Sequence, residues 1–425
     1  MPNPMNPLKR LIPYQCAMAF FSVILFSTNL DVYCDSAGVL PLSPLHWIIL
    51  YFLGSIPFLL SLHGRKAYLS TSVLYWCVGY FLVSFISFWI FSGLQLTTPE
   101  ALQELKDRTL CILFFLNTLL VYSQFNDVQV WARIGFIVAG ILGTATNFYE
   151  FFNPLIFGGL NETGRPSGFY VNANNSGAGL MQCLLIGTTL LRPAYRIPYA
   201  LLIGGGVFIT FSRGALIAWL ITMAIFMITG VFPRQMLFGW AIAMFAMMTI
   251  GGSFIDMEQL QDAGLLNSNV TERLSQTSGG EEVKDDSTLA RLAVVAMAWK
   301  MFVAHPMTGN GIGSTLRLDV GNLVEHPIST HNMYLYFLAD HGALGGLLFP
   351  ALIIVTIYPL KSKHLSINIC TVIFLLLWGL FSHNLVSLRM HLTFYALLSV
   401  INQPIFLTAL DRSKDQVPSP SLRQM

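Results

Sequence analysis

The sequence predicts an all-α integral membrane protein with about 12 transmembrane helices, and three observations lead there. The first is composition. Of 425 residues, 54% are hydrophobic and 10% charged, with a mean hydropathy of +0.63. A soluble domain needs about 25% charged residues to face water. The second is pattern: the apolar residues run continuously, without the period-2 alternation of a membrane barrel, and a helix satisfies its own backbone in lipid. The third is the sign of the loops between the runs, described below. The same numbers exclude disordered, collagen-like and nucleic-acid-binding classes.

A spanning helix takes about 20 mainly apolar residues. Twelve stretches qualify: 14–31, 45–62, 71–93, 109–125, 128–147, 177–192, 197–212, 214–231, 236–255, 332–359, 366–383 and 389–409. The first follows Lys9-Arg10 and resembles a signal peptide. However, Leu30-Asp31-Val32-Tyr33-Cys34 offers no small-residue cleavage site, so it is read as a retained span. The tenth is long and broken by glycines. With a cytoplasmic N-terminus, the inner segments hold Lys9, Arg10, Arg65, Lys66, Arg133, Arg192, Arg196, Arg234, Lys361, Lys363 and three tail residues, which is 13 of the 23 basic residues against 3 of the 21 acidic ones. Every short inner loop is then basic, as the positive-inside rule requires, and both termini are cytoplasmic.

The expected organisation is therefore nine spans in residues 1–255, an outer-face loop with amphipathic helices in 256–331, three spans in 332–409 and a cytoplasmic tail in 410–425. Of the six cysteines, five lie in apolar runs and Cys34 in a loop, so neither a disulfide framework nor a C-x-x-C metal site is implied. No Walker A pattern supports ATP-driven transport.

Arg213 is the sharpest single signal. It is the only charge between Arg196 and Arg234, and Thr210-Phe211-Ser212-Arg213-Gly214 reads as the outer apex of a hairpin. An arginine at mid-membrane costs at least about 2.5–3.5 kcal/mol, so it sits at the boundary, either snorkelling to lipid or binding an anionic group. Arg291 lies near the start of an apolar helix in the outer loop that Ser287 is placed to cap. His305-Pro306-Met307-Thr308-Gly309-Asn310-Gly311-Ile312-Gly313 follows, a turn-rich segment whose N–H groups suit an anion. His331 opens the tenth span as Thr330-His331-Asn332-Met333-Tyr334.

Arg165, Asn332, Tyr334 and Arg389 are the candidate substrate-binding residues of the same face, with a structural role the default for Arg389, His391 and His383-Asn384. A zinc pair of His326 and His331 fails on its i,i+5 spacing and on Pro327. Asp31 and Asp35, in the first outer loop, are either solvated or a metal pair, and Glu281, Glu282, Asp285 and Asp286 read as a solvated run.

Together these segments resemble the O-antigen ligase and O-antigen polymerase superfamily. The resemblance rests on Arg165–Asn175, Phe211-Ser212-Arg213-Gly214, Arg291 through His305-Pro306-x-x-Gly309-x-Gly311-x-Gly313, and His331-Asn332-x-x-Leu335 through Gly342-x-x-Gly345. It covers about residues 160–350, with Asp340 where the family usually has glutamate; elsewhere only hydropathy matches. It implies a GT-C-like, metal-independent and inverting glycan transfer without a cofactor. The donor would be undecaprenyl-diphosphate O-antigen and the acceptor lipid A–core, on the periplasmic face of a Gram-negative inner membrane. The family's two essential arginines fall on Arg213 and Arg291 and its histidine on His331.

Those residue types suit that reaction. Two guanidiniums neutralise a departing diphosphate, and an imidazole of reference pKa near 6.5 takes the proton of a sugar hydroxyl. A polymerase or protein O-oligosaccharyltransferase of the superfamily, a glycan flippase, and a metal-dependent glycosyltransferase using Asp31 and Asp35 are the alternatives. Against the flippase, no inverted repeat is evident.

Overall fold

The computed structural model describes residues 7–59, 68–69, 71–94, 96, 100–153, 156–157, 165–233, 286–316, 318–319 and 328–403. The predicted span 236–255, His326, the acidic residues Glu281, Glu282 and Asp285, and the tail lie outside the described residues. Among the described residues the fold is all-helical, with one isolated bridge between Leu318 and Ile328.

The helices in order are α1 (Pro7–Ser27), α2 (Leu30–Ser36), α3 (Pro44–Leu59), α4 (Ser72–Gly93), α5 (Ala101–Tyr122), α6 (Asn126–Phe152), α7 (Ala173–Thr188), α8 (Pro193–Ile209) and α9 (Arg213–Ile228). After the undescribed stretch come α10 (Asp286–Ala304), α11 (Met333–Gly346), α12 (Leu348–Ile357), α13 (Leu365–Trp378) and α14 (Arg389–Asn402). Each predicted span within the described residues coincides with one of these helices or with a bent pair of them.

Two spans differ in form from the expectation. Residues 14–31 become α1 and α2, bent by 55°, and 332–359 become α11 and α12, bent by 67°. By length and composition, α4 and α6 are apolar enough to cross a membrane alone, and the bent pairs bring the number to as many as four. Shorter apolar helices such as α3, α9 and α13 pack around them. Large apolar side chains are left exposed along α4, among them Tyr75, Phe85 and Trp89, as expected of a surface that faces lipid. This is a helical membrane protein.

α14 is the axis of the bundle. Every residue from Met390 to Asn402 is buried, against α1, α5, α6, α7 and α12. Two of its polar residues are paired inside: Gln182 of α7 lies 2.5 Å from the His391 ring, and Asn368 and Asn402 exchange amide bonds of 3.0 and 2.9 Å. His391 is thus a core histidine, in agreement with its structural expectation. Cys34, expected in a loop, is buried in α2, and all six cysteines are free thiols.

The Gly-rich segment after α10 closes on α11 at its break. Gly342 has φ 70° and interrupts the helix, so the Ala339 and Asp340 carbonyls lose their usual i+4 donors. The loop replaces them: Asn310 N–H donates to Ala339 O at 2.8 Å and Gly311 N–H to Asp340 O at 3.1 Å, while Ala343 N–H turns to Pro306 O at 2.8 Å. The approach demands glycine on both sides. A Cβ on Gly309 would stand 2.4 Å from the Asp340 carbonyl group, and one on Gly342 2.6 Å from Met307 O.

Candidate active site

His331 stands between the bridge residue Ile328 and the first turn of α11, and the chain around it is tied down on three sides. Asn332 caps α11, its side-chain oxygen accepting from Leu335 N–H at 3.0 Å. Met333 N–H donates to Gly379 O at 2.8 Å, and the Tyr334 hydroxyl donates to Leu376 O at 3.0 Å, so the helix entry is fixed to the end of α13. His331 itself takes φ 46°, a left-handed conformation uncommon for a residue with a side chain and a frequent mark of functional positions. Asn332 and Tyr334, expected at substrate, both have side-chain oxygens engaged in placing His331.

The His331 ring is half-buried and meets the His383 ring edge-on, with centroids 5.3 Å apart. Ser329 Oγ lies within 3.2 Å of the His383 ring nitrogens. Burial lowers the His331 pKa below its ordinary value, and the positive charge of Arg291 lowers it further. Imidazole is thereby held neutral, the form that accepts a proton.

Arg291 reaches this position through the packing of α10 on α11. Val294 and Ala298 are fully buried in one cluster with Leu335 and Ala339, while Arg291 is exposed. Arg213 is exposed at the first residue of α9. Its neighbour Gly214 faces the same end of α13 that holds α11: a Cβ there would lie 3.5 Å from the Trp378 ring and 3.7 Å from that of Phe381. Residues 378–381 thus stand between the Arg213 turn and the His331 turn.

Arg165 serves the Arg213 turn from within. It is 3% exposed, and its Nε and Nη2 donate to Thr210 O at 3.0 and 2.9 Å. Nη2 also reaches Asn174 Oδ1 at 3.2 Å, which accepts from Ser212 Oγ at 3.1 Å. Phe211, between Thr210 and Ser212, takes φ 51°. One buried guanidinium therefore closes the strained turn that delivers Arg213.

Arg389 is likewise committed, its Nε 2.5 Å from Asp31 Oδ2. The exposed-loop expectation for Asp31 is corrected here: it is 0% exposed in α2 and neutralised by Arg389. The chain bends after Ser27, and this turns Asp31 inward. Among the described residues, no group of three or more His, Cys, Asp or Glu is placed to hold a metal.

A second polar centre was not singled out from sequence. Arg108 of α5, fully enclosed, donates to Glu104 Oε1 at 2.7 Å, Asp340 Oδ2 at 2.7 Å, the Tyr336 hydroxyl at 2.5 Å and His341 Nε2 at 2.6 Å. The Tyr336 hydroxyl donates in turn to Glu104. Asp340 further accepts from Gly313 N–H at 3.1 Å, Ser314 Oγ at 2.9 Å and Thr315 Oγ1 at 3.2 Å. The anion that the glycine-rich loop was expected to suit is thus supplied internally, by Asp340. The sequence signals for this centre were Asp340, at the position of the family's usual glutamate, and the i,i+4 spacing of Glu104 and Arg108.

What the Arg213 turn, α10 and the His331 turn offer chemically is two exposed guanidiniums on separate helices and an imidazole whose neutral form is favoured. That combination suits anion binding coupled to removal of a proton. Residues 198–350 match the family model described as O-antigen ligase, a stretch that includes Arg213, Arg291 and His331 but not Arg108, Arg165, His383 or Arg389. No curated protein matches the chain.

Proposed function

We propose that this chain, whose residues 198–350 place it in the O-antigen ligase and polymerase superfamily, is an O-antigen ligase: a glycosyltransferase that moves O-antigen from undecaprenyl diphosphate to lipid A–core. The observation that supports the reading is the half-buried His331 at the entry of α11, inside the matched segment, where burial and then the charge of Arg291 favour the neutral imidazole. Twelve spans with cytoplasmic termini, and a site on the periplasmic face of a Gram-negative inner membrane, complete the proposal. The basic inner loops support that orientation.

In this reaction His331 takes the proton of the acceptor hydroxyl as its oxygen attacks the anomeric carbon. The bond from that carbon to the diphosphate oxygen breaks, and the electron pair leaves with undecaprenyl diphosphate. Arg213 and Arg291 bind the diphosphate and stabilise the charge that grows on it, and attack from the opposite side inverts the centre. Guanidiniums do this without a metal, and the carboxylate a metal-dependent rival would use, Asp31, is bonded to Arg389.

The test is transfer by the purified protein in excess EDTA, with donor affinity measured in parallel. Arg213→Ala and Arg291→Ala each lose about 2.7–4 kcal/mol of transition-state stabilisation, and lysine restores only part of it. His331→Ala keeps donor affinity and loses transfer. Full transfer by folded His331→Ala, or chelator-abolished transfer that magnesium restores, overturns the mechanism. Lipopolysaccharide from a deletion strain separates ligase from polymerase: long O-antigen left on its lipid carrier is the expected result, and core bearing a single repeat unit is the polymerase result.

A further inference from the structure

His383 lies outside the segment that carries the family match, in the turn between α13 and α14, yet its ring is the one packed against His331. We propose that His383 is a positioning residue of the transfer reaction: its ring covers one edge of His331, fixing the orientation of that imidazole and keeping water from that side. The inference rests on the proposed role of His331 as the base.

Four observations build the arrangement. The two rings meet at 74° with centroids 5.3 Å apart, a geometry that fixes one plane against the other. Ser329, two residues before His331, has its hydroxyl within 3.2 Å of the His383 nitrogens, so the segment entering the site and the covering ring are joined. Behind His383 stands Tyr336, its ring centroid 6.2 Å away, whose hydroxyl is held by Glu104 and Arg108. The backbone of His331 has φ 46°, so the chain alone does not favour this placement and neighbouring contacts must maintain it.

The charged and titratable groups around the pair are therefore Arg291 on the His331 side, and Tyr336, Glu104 and Arg108 on the His383 side. A cation on His331 is disfavoured first by burial and then by Arg291. Removing the covering ring admits water, which solvates imidazolium and raises the pH at which His331 protonates. Since only the neutral form accepts a proton, the acid limb of the rate profile then moves to higher pH.

The experiment is the pH dependence of kcat for lipid A–core transfer by full-length protein in detergent. Wild type, His383→Ala, His383→Gln and His383→Phe are compared, with His331→Ala as the reference. Expected is an acid limb about half a unit or more higher in His383→Ala and His383→Gln, with donor KM little changed. His383→Phe, which keeps a ring over His331, retains the wild-type limb. Glutamine also keeps a polar group for Ser329 and serves as the second variant where alanine fails to fold. An unmoved limb in the folded alanine or glutamine variant overturns the proposal. So does a phenylalanine variant whose acid limb moves as far as that of alanine, since a ring nitrogen would then be the essential feature. If His331→Ala itself transfers at the wild-type rate, the role of His331 has failed instead, and the two failures are told apart.

Discussion

Arg108 and Arg213 are placed in opposite ways. Arg108 is 3% exposed, with two carboxylates, a phenol, an imidazole and a serine hydroxyl around it. Arg213 is exposed at the first residue of α9, on a turn that a different buried arginine, Arg165, holds closed. A buried charge is tolerated only when its partners compensate for lost water, and once compensated it has little left to offer a ligand. An exposed guanidinium stays in contact with water and can exchange that contact for an anion. Arg108 is therefore built into the core, whereas the exposure of Arg213 suits the diphosphate-binding role proposed for it.

The sharpest way to break that comparison is Arg108→Ala. Removing one partner of a buried ion pair strands the others and costs about 3–5 kcal/mol. A large fall in the thermal midpoint in detergent is expected, whereas Arg213→Ala, a surface change, remains within about 0.5 kcal/mol of wild type. The reverse ranking would show that the two arginines have exchanged roles.

Arg165→Ala should fall between the two. Losing charge-assisted bonds to Thr210 O costs about 1.5–3 kcal/mol, and because those bonds shape the Arg213 turn, transfer should drop by about tenfold or more. Donor affinity and thermal midpoint are measured together. A fall in stability with unchanged affinity and rate would separate Arg165 from the site. The smallest effect is expected at Asn332→Ala, where loss of the α11 cap costs about 1 kcal/mol, while aspartate in its place retains the cap. Thermal unfolding of the two variants checks it, and equal midpoints for alanine and aspartate would remove the cap from the account.

The helices were legible because spanning length and continuous apolarity are local properties. α4, α6 and α13 lie close to the predicted 71–93, 128–147 and 366–383. The break in this stretch was hinted at by glycines, but neither the 67° angle between α11 and α12 nor the loop that satisfies the Gly342 kink inside α11 is written in any local pattern. At the site, Arg213 was visible as a lone charge in an apolar stretch, and His331 and Arg291 through motifs. Arg165, Asn332, Tyr334 and Arg389 were candidates for substrate, Arg389 with a structural role as its default, and the contacts described for them fix turns and helix ends. Sequence shows that a polar group stands near a membrane boundary but not which partner takes its hydrogen bonds.

By itself, then, the sequence determined the all-helical membrane class and pointed to the basic loops and the three residues of the proposed reaction, since each is written in hydropathy, charge or a short motif. Tertiary structure alone decided that Asp31 pairs with Arg389 across 358 positions, that Asp340 fills the glycine-rich loop, and that His383 covers His331. These are contacts between helices distant along the chain. Their energies depend on burial and distance, which exist only once the bundle has packed.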